Sequence, residues 1–424
     1  MIGRVLVIIL EAVSVIFIAS IFSPESKGYI SLVMVLVAYA HQIGELGIYE
    51  SAVYYVSKKQ NKEVSIPNIL GLGNLVSGVI SILIFICFIL IDAYKLIDIS
   101  LGTIIFCSII LFFLSISNIH YHILIGQKKI IQYVCAKLIQ TFIFLISNYL
   151  LWTILETYQI FHVFFAYLLS NFLIFIFLSA LHIKNRTNIA LNLSWNASKD
   201  ILKFSLKGHP GRILWNLNNK LDFLIINFFL GTSAVGIYSI SVTIAECLTF
   251  FASSIGSILL PYVAASSKLE TLKFSNMIIR HTAILTSLFA ILLALIGPLF
   301  IVFAFNDQYH GAVLPFLYLI PGTFALAIAR VISSHLVGIG RPELQSYGVA
   351  VAFLIMIILN FILIPKLGII GAAISSSIAY IFETIIISYF YLKATKQKLS
   401  KLLYFSINDI YLYANFIRQR SFKL

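Results

Sequence analysis

The sequence predicts an all-α polytopic membrane protein with about twelve transmembrane helices, and composition and pattern together support this. Of the 424 residues, 60% are hydrophobic and only 11% are charged, whereas about a quarter of a typical soluble domain is charged. The apolar residues form continuous runs of the ~20 residues that a helix needs to cross a bilayer. They do not alternate as the strands of a membrane β-barrel would. The composition argues against a soluble enzyme, a disordered chain or a secreted disulfide-rich domain.

Twelve apolar runs can be placed along the chain. They cover roughly residues 4–22, 28–56, 68–91, 101–125, 130–153, 160–182, 204–230, 235–262, 277–304, 312–338, 344–364 and 368–392. The second, seventh and eighth runs are long, so we expect tilted or kinked helices there. Pro210 beside Gly211, and Pro298 after Gly297, are the expected kink points.

The basic residues predict the orientation. Lys and Arg accumulate in cytoplasmic loops, and 22 of the 29 basic residues fall on one side if both termini are cytoplasmic. The outer loops then hold three, Lys27, Lys95 and Lys366. No cleavable signal peptide is expected. The net charge of +13 is attributed to these loops, and no nucleic-acid partner is predicted.

The two halves of the chain resemble each other. Gly28 and Tyr55 of the second run match Gly236 and Tyr262 of the eighth at a nearly constant offset. This indicates a duplication of six spans, and an even number gives the parallel repeat found in transporters. We therefore predict an N-terminal six-helix bundle at 1–182, a cytoplasmic linker at 183–203, a C-terminal six-helix bundle at 204–392 and a basic cytoplasmic tail at 393–424.

The tail carries apolar residues at helical spacing. They are Leu403, Ile407, Ile410, Ala414 and Ile417. A basic amphipathic helix of this kind is expected to lie on the anionic inner leaflet. A disordered basic tail is the alternative.

Among the charged residues inside the apolar runs, nine are candidate functional residues. They are Glu11, Glu45, Glu50, Arg212, Lys220, Asp222, Glu246, Arg330 and Glu383. A charge at the bilayer centre costs at least about 2.5–3.5 kcal/mol, so these side chains should face a wet cavity or one another. Arg330 stays charged at any pH and needs an anion or a partner. The lone carboxyls Glu11 and Glu246 are either neutral structural groups or proton carriers.

The seventh run carries a polar stripe. At about 100° per residue, an arc of about 100° holds His209, Arg212, Asn216, Asn219, Lys220 and Asn227, with Asp222 beside it. A stripe this continuous predicts one wall of an aqueous cavity. The alternative is polar contact between packed helices, which usually needs only one or two such residues.

The second run offers a pair of titratable residues. His41 and Glu45 lie four residues apart, which predicts either a proton-linked pair or a local structural one. Glu50 points away from them unless Gly44 and Gly47 break the helix.

No catalytic or metal-binding motif is found. The sequence contains no H-E-x-x-H, Walker or Rossmann motif. The four cysteines lie within apolar runs without a C-x-x-C pair, and we interpret them as small core residues. We therefore predict neither a cofactor nor a metal, and no enzyme activity.

Five stretches carry a resemblance to a known family. They are FSPESKGYISLVMVL at 22–36, LDFLIINFFLGTSAVGIYSIS at 221–241, LLPYVA at 259–264, LVGIGRPELQSYGVAV at 336–351 and LNFILIPKLGIIGAAISSSIAYI at 359–381. In their order and spacing they resemble the polysaccharide exporters, the Wzx-type flippases of O-antigen and capsule synthesis, in the multidrug/oligosaccharidyl-lipid/polysaccharide (MOP) exporter superfamily. The resemblance implies two six-helix bundles forming a V, with spans 1, 2, 7 and 8 lining a central cavity.

The resemblance also implies a function. Family members flip oligosaccharide units linked to undecaprenyl diphosphate across the bacterial cytoplasmic (inner) membrane for surface polysaccharide biosynthesis. Proton- or sodium-coupled alternating access is the expected mechanism. The implied partners are this lipid-linked oligosaccharide, membrane lipids, the coupling ion, and a polymerase or other polysaccharide assembly proteins.

Site residues follow from the implied function. Cations are needed for the diphosphate and carboxyls for the coupling ion. The expected substrate-binding residues are Arg212, Lys220, Arg330, His209, Asn216 and Asn219, and the expected ion-coupling residues are Glu45, Asp222, Glu246, Glu50 and Glu11. Members usually carry a short polar segment before the first span, and this chain begins almost inside it. Whether the N-terminus is complete is therefore open, and with it the role of Glu11.

Two other functional classes remain as alternatives, a related transporter for drugs or lipid II and a membrane enzyme. A related MOP-type multidrug transporter would favour aromatic and acidic cavity residues over cations such as Arg212 and Lys220. A lipid II transporter would have a longer chain with additional spans. A membrane polysaccharide polymerase or ligase would carry a sizeable outer loop, whereas the longest outer loop here has about ten residues.

Overall fold

The computed structural model describes residues 2–58, 65–93, 101–185, 187–188, 191–265 and 268–397. Its described residues form fourteen α-helices and one short 3₁₀ helix, with no β-strand among them. In chain order the α-helices are α1 (Ile2–Ile21), α2 (Pro24–Gly44), α3 (Ile48–Lys58), α4 (Ile66–Ala93), α5 (Leu101–Gly126), α6 (Ile130–Ile154), α7 (Ile160–Lys184), α8 (Trp195–Leu230), α9 (Thr232–Ala245), α10 (Cys247–Ala265), α11 (Lys268–Ala304), α12 (Val313–Gly338), α13 (Pro342–Leu367) and α14 (Ile369–Thr395). The 3₁₀ helix, Asp307–Ala312, precedes α12. The predicted all-α membrane fold is confirmed.

The predicted spans coincide with these helices. Within the described residues, nine helical stretches are long and apolar enough to cross a membrane, and the bent pair α2–α3 makes a tenth. The other two predicted spans fall on α1 and α8. The apolar part of α1 is the shorter stretch Leu6–Ile21, and α8 is interrupted by the charges of the polar stripe.

By its contacts the chain divides into two compact units, Met1–Phe223 and Leu224–Leu424. The division falls inside α8. The assignment of six-helix bundles to 1–182 and 204–392 stays a prediction. The tail from 398 onward, including the expected amphipathic helix, lies outside the described residues.

In the first unit, α5 packs against α3, α4 and α7. Ile110 and Leu111 of α5 and Val163 and Phe164 of α7 are fully buried in one apolar cluster. Because lipid tails are as apolar as these side chains, helix association in a membrane depends on close packing. The interior of this unit is therefore set by interdigitated side chains.

In the second unit, α12 packs against α10 and α14. A Cβ on Gly322 of α12 would clash with the Cα of Ser377 on α14. The missing side chain thus lets the two backbones approach closely, as small residues do between membrane helices.

The second span begins earlier than predicted. Lys27, expected in an outer loop, lies buried in the first turns of α2 and donates a hydrogen bond to Ser31 Oγ at 2.8 Å. Ser23 caps this helix and Pro24 occupies its first position. These are strong helix-start signals, so α2 begins before Gly28, where the apolar run was placed.

Candidate functional site

The second span is broken in the middle. α2 ends at Gly44 and α3 begins at Ile48, and the two helices are bent by 52°. Between them, Leu46 and Gly47 both have positive φ, 49° and 74°. Two consecutive left-handed residues cannot continue a right-handed helix. The sequence indicates Gly44 and Gly47 as residues that could break this helix, and the structure has the break there.

α8 packs its backbone against this break. A Cβ on Gly47 would lie 2.6 Å from the carbonyl oxygen of Ser205. The Ser51 hydroxyl donates to the Ile201 carbonyl at 3.2 Å, and His209 Nε2 lies 3.1 Å from the Ile43 carbonyl oxygen. The Ile43 carbonyl beside the break thus finds a partner on α8, as buried backbone groups require, and Ser51 after the break bonds to the α8 backbone.

Arg212 joins the two sides of the break. Its Nη1 donates to Glu45 Oε1 at 3.0 Å, and its Nη2 pairs with Glu50 Oε1. Gln42 Nε2 also donates to Glu45 Oε1, at 2.8 Å. The side chain of Glu45 is 3% exposed, that of Arg212 23% and that of Glu50 47%. The Arg212–Glu45 pair is therefore the more buried of the two, and the Arg212–Glu50 pair is the more exposed. We call Arg212, Glu45 and Glu50 the Arg212 triad.

The predicted pair of His41 and Glu45 is not formed. His41 Nδ1 lies 3.0 Å from Ser115 Oγ. Asn118 Nδ2 contacts His41 Nε2 at 3.3 Å while it donates to the Leu114 carbonyl, so Nε2 is placed as an acceptor. This network favours a neutral imidazole with its proton on Nδ1. His41 is therefore held by residues of α5, and Glu45 pairs with Arg212 instead.

The remaining stripe residues on α8 have different surroundings. Asn216 Nδ2 bonds back to the Arg212 carbonyl of its own helix at 3.1 Å. Lys220, half-buried, lies with Nζ 5.2 Å from the ring centroid of Phe223. Asp222 is buried and accepts a hydrogen bond from the Phe223 amide. Asn219 is half-buried. Two residues of the predicted stripe, His209 and Arg212, form contacts beside the break itself.

Two predicted residues lie in the second unit. Arg330 of α12 is within electrostatic range of Glu383 and Glu246. Glu383 is buried on α14, and Glu246 follows α9 at the interruption between α9 and α10. Arg330 is thus balanced by carboxylates of its own unit.

Glu11 lies in the first unit but away from the triad. It lines a separate cavity together with Lys137 of α6. No triad residue lines this cavity, and the assignment of Glu11, Glu45 and Glu50 as ion-coupling residues stays a prediction.

Sequence reasoning missed the residues that orient the triad. Gln42 hydrogen-bonds to Glu45, and Ser205 packs on Gly47. Gln42 lies three residues before Glu45, a spacing that places both on one helix face. This signal was available, whereas the approach of Ser205 depends on tertiary structure.

Comparison with known proteins gives a family. A family model described as polysaccharide biosynthesis protein matches residues 17–314. Among curated proteins, the chain is 27% identical over 176 residues to the probable low-salt glycan biosynthesis flippase Agl15 of Haloferax volcanii, covering 39% of this chain and 36% of that protein. The chain spans about a third to a half of the length of the curated relatives that it matches.

Solved structures are similar over nearly the whole chain. The lipid II flippase MurJ in an inward closed conformation gives a TM-score of 0.74 at 20% identity, over 98% of this chain and 91% of that one. An inward-facing multidrug resistance MATE family transporter of the MOP superfamily gives 0.66 at 14% identity, over 93% and 94%. At this identity the likeness shows the fold that these transporters share.

Proposed function

The chain belongs to the polysaccharide biosynthesis protein family, and from this premise we propose that it flips a lipid-linked glycan across the membrane. The cargo is an oligosaccharide on a polyprenyl diphosphate such as undecaprenyl diphosphate. It moves from the inner to the outer leaflet of the cytoplasmic membrane, for surface glycan assembly. The similarity to the Haloferax volcanii protein, a probable low-salt glycan biosynthesis flippase, supports this class of cargo.

The observation that carries the proposal is the Arg212 triad. A guanidinium binds a diphosphate through two parallel hydrogen bonds, and Arg212 is 23% exposed beside a broken span. Its two terminal nitrogens, Nη1 and Nη2, pair with Glu45 and Glu50. A diphosphate therefore binds by competing with these carboxylates for the same guanidinium.

This competition gives a reason for ion coupling. The triad has one positive and two negative charges, so it carries an excess negative charge. If a diphosphate takes Arg212, the buried Glu45 loses its main counter-charge, and an unpaired buried charge is strongly unfavourable. Uptake of a proton or a sodium ion by the released carboxyl removes that penalty. Substrate binding and ion uptake are then linked at one arginine.

Other predicted residues extend this site. Lys220 lies eight residues beyond Arg212 on α8, about 12 Å along the helix axis, and can meet another part of an elongated head group. We keep Asn216, Asn219 and Asp222 as further proposed residues of this site. Arg330 and Glu246 belong to the second unit, and we keep them as proposed substrate or coupling residues of that unit. We also propose cytoplasmic termini and cooperation with a glycan polymerase or other assembly proteins.

The test is flipping by the purified protein in vesicles. The probe is a fluorescent polyprenyl diphospho-N-acetylglucosamine, with its leaflet position measured by a membrane-impermeant quencher. Protein-dependent exchange that stops with Arg212→Ala is the expected result. Export of a cationic dye without movement of the lipid probe would favour a multidrug transporter and refute the proposal. Elongation of the probe instead of its movement would indicate a polymerase.

A further inference from the structure

The first unit contains a cavity, lined by both polar and apolar side chains, that the Arg212 triad does not line. It lies between α1, α5, α6 and α7 and has a volume of about 260 Å³. At about 30 Å³ per water molecule, this is space for roughly eight or nine waters. It is somewhat smaller than the about 300–1,000 Å³ of a pocket for a drug-sized ligand. The cavity is large enough for one small polar molecule.

Two opposite charges face this cavity. Glu11 lines it from α1 and Lys137 from α6. They interact electrostatically, but in the described structure they form no direct ion pair with each other. The cavity thus presents a carboxylate acceptor and an ammonium donor at separate points of its wall.

Lys137 is held in place by a buried network. Its Nζ donates to Gln140 Oε1 at 3.1 Å and lies 4.3 Å from the ring centroid of Tyr121. The Tyr121 hydroxyl also donates to Gln140 Oε1, at 3.0 Å, and Gln140 Nε2 donates to Asn171 Oδ1 at 3.0 Å. An ammonium group has three N–H donors, so Lys137 retains donors for a ligand in the cavity.

Glu11 makes the cavity accessible from outside. Ile9 and Val13 are large exposed apolar residues and lie about 160° around α1 from Glu11 at about 100° per residue. The lining residues Ser14 and Ile18 lie within about 60° of Glu11. Glu11 lines the cavity and is itself exposed, so a ligand can reach the cavity wall at this carboxylate.

The charges argue against a bound metal ion or sodium. A fixed ammonium repels a second cation, and with Glu11 it leaves the cavity without excess negative charge. Within the described part of the chain, no group of three His, Cys, Asp or Glu side chains could hold a metal. A neutral polar ligand fits this balance of charge better.

We propose that this cavity is a saccharide subsite that takes one sugar residue of the transported glycan. Sugar hydroxyls both donate and accept hydrogen bonds, which matches a wall carrying Glu11, Lys137 and Ser14. Phe144 and Tyr167 also line the cavity and contact each other edge-on, with ring centroids 5.7 Å apart. Aromatic rings offer an apolar surface for the C–H face of a pyranose. This inference rests on the proposed function.

The test uses a tryptophan placed in the cavity wall. Trp152, Trp195 and Trp215 are replaced by Phe, Phe144→Trp supplies the reporter, and the full chain is studied in lipid nanodiscs. The probes are free glucose, N-acetylglucosamine and glucuronate, with sorbitol, NaCl and pH steps as comparisons. A saturable fluorescence change with at least one of the sugars is expected. No response to any of them, or a response to NaCl or pH alone, would overturn the proposal.

Two cavity variants, a control variant and a second measurement test the saccharide subsite further. Glu11→Gln and Lys137→Met should each weaken sugar binding by at least tenfold. Thr153→Val on the same helix α6, whose hydroxyl bonds within its own helix, should leave it unchanged. Should Phe144→Trp fail to fold, Thr141→Cys in a chain with its native cysteines replaced gives a maleimide-labelling rate. Sugar should slow that labelling, and unaltered labelling counts against the subsite.

Flipping of the lipid probe by the wild-type chain is measured in parallel. Flipping without any sugar response in the cavity refutes the subsite alone. No flipping by the wild-type chain refutes the proposed function itself.

Discussion

Arg212 of α8 and Glu45 at the end of α2 form a buried ion pair, 3.0 Å between Nη1 and Oε1, at the point where the second span is broken. The two residues are 167 positions apart in the chain. Because Glu50 binds the same guanidinium from the other side of the break, Arg212 holds two helix segments at once. A change at this arginine should therefore affect both the geometry of the break and any anion bound there.

Arg212→Ala should abolish flipping and also destabilise the protein. It leaves Glu45 buried without its partner, and breaking a buried pair by removing one member costs about 3–5 kcal/mol. Adding Glu45→Gln removes the unpaired charge, so the double variant should regain most of the thermal stability but no flipping. Melting temperature and flipping rate, measured on the same membrane preparation, check this. Normal flipping by the stable double variant would exclude Arg212 from the substrate site.

Arg212→Lys separates charge from shape. A lysine keeps the positive charge but lacks the planar fork that binds a diphosphate through two hydrogen bonds. We expect stability near that of the wild type and flipping reduced at least tenfold. The measurement is flipping rate per amount of inserted protein. Full activity in this variant would show that a point charge is sufficient.

Glu45→Gln and Glu50→Gln should differ in how strongly they change the response of flipping to an ion gradient. The side chain of Glu50 is 47% exposed, and exposed ion pairs contribute about 0–1 kcal/mol; Glu45 is 3% exposed. If Glu45 is the coupling group, Glu45→Gln should make flipping insensitive to an imposed proton or sodium gradient, while Glu50→Gln should retain that response. A gradient response that survives in Glu45→Gln assigns coupling to another carboxyl.

Orientation can be tested with reporter fusions along the chain. The uneven distribution of basic residues predicts cytoplasmic readings after Lys62, Lys129 and Lys203, and external readings after Lys95 and Gln159. Alkaline phosphatase and green fluorescent protein fusions report the two sides. Two or more reversed readings would contradict the predicted topology.

The fold and the break could be predicted because local sequence determines both. A bilayer requires continuous apolar helices, and glycines at 44 and 47 mark a place where a helix ends easily. The partners of buried polar groups could not be predicted in this way. The spacing predicts a pair between Glu45 and His41, four residues away, whereas in the structure His41 contacts Ser115 and Glu45 pairs with Arg212. Such choices depend on which helices pack together, and spacing along one helix does not contain that information.

Lys137 shows the same limit for the second site. From the sequence it is an isolated charge inside a span, and Glu11 is another. Only the packing of α1 against α6 brings them to one cavity.

Gly47→Ala tests whether the close approach of α8 to the break matters for folding. At Gly47 an alanine meets two penalties, a positive φ of 74° and a Cβ only 2.6 Å from the Ser205 carbonyl oxygen. Gly340 provides the matched control, because its φ is also positive, 80°, but nothing lies within 4 Å of its Cβ position. The amides of Gly340 and Arg341 bond to the carbonyls of Val337 and Leu336 at the end of α12, the pattern of a left-handed glycine that ends a helix. Left-handed backbone alone costs about 1–2 kcal/mol for a residue with a side chain, so Gly340→Ala should lower stability by about that amount. Gly47→Ala should cost more than Gly340→Ala, since the backbone of α8 must move away as well.

Thermal melting of both variants in the same detergent measures the difference. Because that movement would also shift Arg212 away from Glu45, Gly47→Ala should lose flipping while Gly340→Ala keeps it. Equal stability loss in the two variants would show that the close contact between Gly47 and the Ser205 carbonyl is absent in the membrane.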